Sequence, residues 1–216
     1  TYAGAASFIS AKPNTENQIV PMEPYPEQHD SGSKTLLSYA GAVKTVLPAG
    51  QSPQQDLEDV LDNLFNHPNV GPFVSKQLIQ RLVASNPSPA YVGRVSAVFD
   101  DDGDGQRGNL AAVVKAILLD PEARAVPASD TVGKLKEPLL RMVQFLRAFR
   151  AASPSGYYLF DDVFEWTSQG PLLSPSVFNF YSPVFAPQGE IANRGLVSPE
   201  MQIVTEYHAT TLANFF

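Results

Sequence analysis

Between Ser52 and Phe149 apolar side chains recur about every three and a half positions, a spacing that gathers them on one side of an α-helix and does not fit the alternation of a half-buried strand. Leu57, Val60, Leu61, Leu64 and Phe65 form the first stripe, and Phe73, Val74, Leu78, Leu82 and Val83 the second. Tyr91, Val92, Val95, Val98 and Phe99 form a third, and Leu110, Val113, Val114, Ile117 and Leu118 a fourth. A fifth starts at Pro138 and carries Leu139, Met142, Val143, Leu146 and Phe149 inward. The stops agree with the stripes. Ser52-Pro53-Gln54-Gln55 offers a capping serine, a proline at the first helical position and a glutamine at the third. The first helix should end near His67-Pro68, and the two prolines of Asn86-Pro87-Ser88-Pro89 break the second, each costing about 3 kcal/mol inside a helix. A last helix is signalled by Ser198-Pro199-Glu200, running through Ile203, Val204, Tyr207 and Leu212 to Phe216.

Amphipathic helices joined by short loops predict an all-α, multi-helix globular bundle over residues 51–216. A chain of 216 residues that is 44% hydrophobic can fill its core. Residues 1–50 lack such periodicity, and Pro21, Pro24 and Pro26 favour extended backbone, so they predict an irregular arm laid over the domain. The segment from about 155 to 197 should be a long packed loop, crowded with Tyr157, Tyr158, Phe160, Phe164, Trp166, Phe178, Phe180, Tyr181 and Phe185. The start at Thr1 and the apolar end Asn214-Phe215-Phe216 read as cuts, giving the expectation of a fragment of a larger protein.

A formal charge of −7, from 15 basic and 22 acidic residues, provides no electrostatic footprint for a phosphate backbone, so nucleic acid is not an expected partner. Apolar runs last only a few residues, far from the roughly 20 that span a bilayer. The absence of cysteine removes disulfides, thiolate zinc sites and cysteine nucleophiles from consideration.

Three stretches carry candidate chemistry. The first is the acidic loop after Phe99. With Asp100 at position 1 of a helix-loop-helix calcium site, Asp102 and Asp104 fall at positions 3 and 5 and Gly105 at the sharp turn, but position 12 is Ala111 where a bidentate glutamate is needed. A weak Ca2+ site and a solvated turn with Asn109 capping the next helix are the two alternatives. The second stretch is Glu27 to Thr35, which gathers His29, Asp30, Ser31 and Lys34. Ser31 and Lys34 satisfy Ser-x-x-Lys, in which an amine activates a hydroxyl, though no Lys-Thr-Gly follows. The bland alternative is an aspartate turn whose histidine pins the arm to the helices. Gly32-Ser33-Lys34-Thr35 is not a phosphate loop, because a serine separates Gly32 from Lys34. The third is the aromatic segment, where Tyr158, Trp166, Phe180 and Tyr181 would line a sugar or lipid groove if they were not core. Glu137 and Arg141 stand one turn apart in the order that favours an ion pair.

Taken in order, HDSGSKTLL, LEDVLDNLFNHPNVGPFVSKQLIQRLV, RGNLAAVVKAILLDPEAR, KLKEPLLR, QGPLLSPSVFNFYSP and GLVSPE resemble the C-terminal half of a large bacterial family known as domain of unknown function 1800. The resemblance implies a mostly helical, usually exported protein of more than twice this length, often encoded beside another exported protein. His29, Asp30 and Lys34 match the family's His-Asp-x-Gly-x-Lys block, and Lys134, Lys136, Glu137 and Pro138 its Lys-x-Lys-Glu-Pro block. Neither block carries an assigned role. The acidic run sits where the family often has a shorter turn, which favours a solvated loop.

The reading preferred on these grounds is an exported, non-catalytic binding or scaffold module in the periplasm or outside the cell. Its partner would be the remainder of its own precursor or another exported protein. The alternative is a hydrolase-like enzyme centred on His29, Asp30, Ser31 and Lys34.

Overall fold

A computed structural model of the chain describes residues 2–3, 23–126, 131–158, 163–170, 173–208 and 210. The chain divides into two compact units, Thr1–Val70 and Gly71–Phe216.

In the first unit β1 (Tyr2–Ala3) pairs antiparallel with β2 (Glu23–Pro24), and a 3-10 turn follows at Pro26–Gln28. The second ladder joins β3 (Lys34–Thr35) to β4 (Val46–Leu47), with Lys34 opposite Leu47 and Thr35 opposite Val46. Leu36 N extends it by donating to Thr45 O at 2.8 Å. The arm therefore contains short strands, and the fold is mostly helical without being purely α.

Helix α1 (Pro53–Phe65) starts as its sequence dictates, with Ser52 Oγ accepting from Gln55 N at 3.2 Å. Its buried face is not the apolar stripe. Pro53, Asp56 and Asn63 are buried, whereas Leu61, Leu64 and Phe65 are exposed. The physical reason is that chain without a full complement of strand partners must place its carbonyls on donors. Asn63 Nδ2 donates to Leu37 O (3.0 Å) and Lys44 O (2.9 Å), and the Tyr39 hydroxyl donates to Asn63 O at 2.6 Å. Lys44 and Gln51 both donate to Asp59 Oδ2, at 2.5 and 2.8 Å.

The second unit holds α2 (Val70–Leu82), α3 (Pro89–Asp100), α4 (Leu110–Leu119), α5 (Pro121–Arg124), α6 (Pro138–Ala148), α7 (Val163–Thr167), α8 (Glu190–Asn193) and a 3-10 turn at Pro199–Gln202. Its core is Ile79, Tyr91, Val95, Phe99, Val113 and Ile117, none more than 3% exposed. Each such burial contributes about 1.5–3 kcal/mol. Tyr91 reaches across from α3 to donate to Ile117 O at 2.7 Å, and burial pushes its hydroxyl up to about 12. Arg94 forks onto Asp120 through two 2.8 Å bonds, and Asp120 also caps α5 by accepting from Glu122 N. Helix α2 approaches α3 at Gly71, where a Cβ would lie 2.8 Å from Ser96 Oγ and 3.0 Å from Asp100 Oδ1.

Several expectations need correction. In α2 the core position belongs to Ile79, while Phe73 and Leu82 are exposed. Phe149 is the C-cap of α6 and is 72% exposed, because the helix ends before its stripe does. The expected last helix opens as the 3-10 turn, and among the described residues helical structure returns at 206–208 and 210. Pro21, Phe160, Leu212, Phe215 and Phe216 lie outside the described residues. Among the described residues no helix is long and apolar enough to cross a membrane.

Candidate functional site

The block from His29 to Lys34 folds around a carboxylate that its own sequence does not contain. Asp30 Oδ1 accepts from Gly32 N at 2.7 Å, making a tight aspartate turn that bends the chain back. β3 then carries Lys34 onto the same side as His29. His29 Nε2 and Lys34 Nζ each lie 2.8 Å from Asp56 Oδ2, in the first turn of α1. Lys34 Nζ also donates to the carbonyls of Asp30 and, at 3.1 Å, Gly32. Asp56 is 5% exposed, and its Oδ1 has no hydrogen-bond partner among the described residues. The Lys34 ammonium, then the His29 ring, hold the Asp56 carboxyl below the usual carboxylate range against the opposing effect of burial.

Of the four residues expected to form a catalytic set, the structure thus brings His29 and Lys34 together and uses Asp30 to shape the turn. Ser31 is exposed, and its carbonyl accepts from Gly50 N at 2.9 Å. Its hydroxyl has no hydrogen bond to His29 or Lys34 among the described residues. Asp56 is the residue sequence reasoning misses. A carboxylate in the first turn of a helix reads as an ordinary partner for the helix dipole, and nothing local marks it as the anchor of a segment 22 to 27 positions earlier.

A second polar cluster lies within the second unit and joins several of the blocks that carry the family likeness. Glu137, at the N-cap of α6, accepts from the Tyr181 hydroxyl at 2.5 Å and from Gln169 Nε2 at 2.6 Å. Both of its oxygens are taken, and Arg141 instead donates through Nε to Lys136 O at 3.1 Å, which replaces the expected Glu137–Arg141 ion pair. Lys134 Nζ pairs with Glu200 Oε1 at 3.0 Å and donates to Arg81 O at 2.8 Å. The Arg81 guanidinium stacks 4.0 Å from the centre of the Tyr181 ring. Burial, and then the neighbouring Glu137 carboxylate, raise the Tyr181 hydroxyl far above its usual range, so it stays protonated and donates. Gln80, Arg81, Tyr181, Pro183, Pro199 and Glu200 close around a crevice with no space for a water-sized molecule. The cluster welds the blocks together, while Lys134 also borders a separate cavity of about 220 Å³ with Ser85, Asn86 and Ser198.

In the acidic loop, Asp102 Oδ1 accepts from Asp104 N (3.0 Å) and Gln106 N (3.1 Å), and Oδ2 accepts from Asn109 Nδ2 (2.7 Å). Asp101 Oδ1 accepts from Gly103 N and Gly105 N, and Asp100 pairs with Arg107. Asn109 caps α4 through Ala112 N. Among the described residues no three His, Asp or Glu side chains are grouped to hold a metal ion, so Asp100, Asp102 and Asp104 do not converge. The four aromatic candidates differ in exposure. Tyr181 is buried in the cluster above, Trp166 and Phe180 are half-buried, and Tyr158 lines an open groove beside α6.

A family model described as a protein of unknown function (DUF1800) matches residues 9–216. Comparison with curated proteins and with solved structures gives no match.

Proposed function

The chain belongs to the DUF1800 family, whose description carries no activity, and from its own residues we propose that it is a non-catalytic binding or scaffold module of an exported bacterial protein. The observation that carries this reading is the engagement of His29 and Lys34 by Asp56. A general base must reach the proton it abstracts, and an amine that activates serine must contact it. Here the imidazole and the ammonium are spent on one buried carboxylate and on backbone carbonyls, while the Ser31 hydroxyl stands apart. Such a pin suits a segment whose task is to hold a surface in place. Export is carried by the family likeness, and fractionation of the source cell is its test.

The function is tested by a pair of substitutions on one preparation. His29→Ala and Lys34→Ala should each lower the unfolding temperature and loosen residues 23–50 toward protease, with no hydrolysis of ester, amide or phosphoester substrates by the parent protein. Turnover by the parent that both substitutions abolish, with the fold intact by circular dichroism, would overturn the reading and favour the hydrolase.

A further inference from the structure

The cavity beside Lys134 lies wholly within the second unit, and three stretches of chain wall it: Ser85 and Asn86 after α2, residues 131–135 before α6, and the chain from Ile191 to Ser198. Each stretch is tied to another. Ser85 N donates to Gly133 O at 2.9 Å, joining the first to the second. Asn86 joins the first to the third, its Nδ2 donating to Val197 O and its Oδ1 accepting from Val197 N, both at 2.9 Å. The walls are therefore fixed before any ligand arrives.

Their hydrogen-bonding capacity is not used up. An ammonium carries three N–H donors, and Lys134 spends two of them, on Glu200 Oε1 (3.0 Å) and Arg81 O (2.8 Å). Ser85 is 4% exposed, and its Oγ has no hydrogen-bond partner. Buried hydroxyls are almost always paired, so one left unpaired at the wall of an open space calls for a partner that enters that space. Ser198, half-buried on the third stretch, begins the 3-10 turn without capping it. Val132, Leu135, Ile191 and Leu196 supply apolar wall between these groups.

Charge narrows the ligand. Among the described residues lining the cavity Lys134 is the one ionised side chain, and its charge is already met by the buried Glu200. The neighbouring Arg81 guanidinium is turned to the Tyr181 ring and to Phe178 O. An anion on the third Lys134 N–H would bring a second negative charge close to Glu200, whose Oε2 has no hydrogen bond to offset it. A cation would face the ammonium itself. What fits is an uncharged molecule rich in hydroxyls, since each hydroxyl can accept from Lys134 and can donate to or accept from a serine. The cavity's 220 Å³ equals the liquid volume of about seven water molecules, the size of one sugar ring.

We propose that this cavity binds a neutral monosaccharide, its ring hydroxyls on Lys134, Ser85 and Ser198 and its C–H face on Val132 and Leu135. The inference rests on the reading of the chain as a binding module and gives that module a ligand class.

The probes are glucose, galactose and N-acetylglucosamine, titrated at millimolar concentration into isotope-labelled protein, with glucuronate and galacturonate as anionic counterparts. At least one neutral sugar should shift the NMR signals of the Ser85, Gly133 and Val197 amides, and the uronates should bind about tenfold more weakly or not at all. Ser85→Ala removes a hydroxyl that bonds nothing in the free protein, so it should weaken the sugar about fivefold or more without lowering the unfolding temperature. Binding of no sugar, a uronate that binds as well as its neutral counterpart, shifts confined to other amides, or unchanged affinity in Ser85→Ala would overturn the proposal. Absence of sugar binding leaves the non-catalytic reading standing. Turnover lost with His29→Ala overturns that reading, while the amide shifts at Ser85 still report the cavity by themselves.

Discussion

The Tyr181 hydroxyl donates to Glu137 Oε1 at 2.5 Å, binding two parts of the chain 44 residues apart in sequence. Tyr181 is 3% exposed. Replacing it by phenylalanine keeps the ring under Arg81 and leaves one Glu137 oxygen without its donor. Chemical denaturation of Tyr181→Phe should show a loss of about 1–3 kcal/mol, and a loss near zero would mean that water takes the place of the hydroxyl.

Asp56 should matter more to the arm than to the helix that bears it. Asp56→Ala leaves His29 and Lys34 without the carboxylate they share, so limited proteolysis should cut faster within residues 23–50 while the helical circular dichroism signal persists. An unchanged cleavage rate would show that the hydrogen bonds from Asn63 and Tyr39 suffice.

Acid should destabilise the protein below the ordinary carboxylate range. Asp56, Asp59, Asp102 and Asp120 are each held below the ordinary aspartate range, mainly by Lys34, Lys44, Asn109 and Arg94 respectively. In that range the unfolded chain binds more protons than the folded one, so stability rises with pH there. The contribution is complete above the unfolded value and is lost as pH falls through the folded ones. His208 acts in the same direction at higher pH, because burial lowers it from 6.5 and the folded state favours the neutral ring. Unfolding midpoints measured from pH 3 to 8 should climb in two stages, about pH 4 and about pH 6.5.

Glycine at position 150 should stabilise the fold. A left-handed residue with a side chain costs roughly 1–2 kcal/mol relative to glycine, so Arg150→Gly is expected to gain about 1 kcal/mol by urea denaturation. A destabilised variant would show that the guanidinium stabilises the free protein.

Calcium at millimolar concentration should leave the unfolding temperature unchanged, because Asp102 already accepts from Asp104 N, Gln106 N and Asn109 Nδ2. Calorimetric heat on titration would mean that the loop rebuilds itself around the ion.

The helices were legible because their signals are local. Ser52 and Asn109 cap where their sequence places them, and Tyr91, Val95, Phe99, Val113 and Ile117 go inside as their spacing requires. The faces of α1 and α2 were not legible. Period alone puts Leu61 and Leu64 inward, but the arm's carbonyls draw Asn63 to the buried side. The candidate site was half legible for the same reason. His29 and Lys34 could be picked out as reactive types within six residues, whereas their common partner is set by how the arm crosses α1. Glu137 was singled out as a partner for Arg141, and its actual partners Tyr181 and Gln169 were not legible, since both arrive from distant loops.

Asn63 grips the arm by the carbonyls of Leu37 and Lys44, atoms that every amino acid supplies alike. At Leu37 the route of that segment is consequently indifferent to which residue stands there, whereas Lys44 is also held through its ammonium on Asp59. Homologous chains should therefore be free to vary Leu37 while retaining an amide at the position of Asn63.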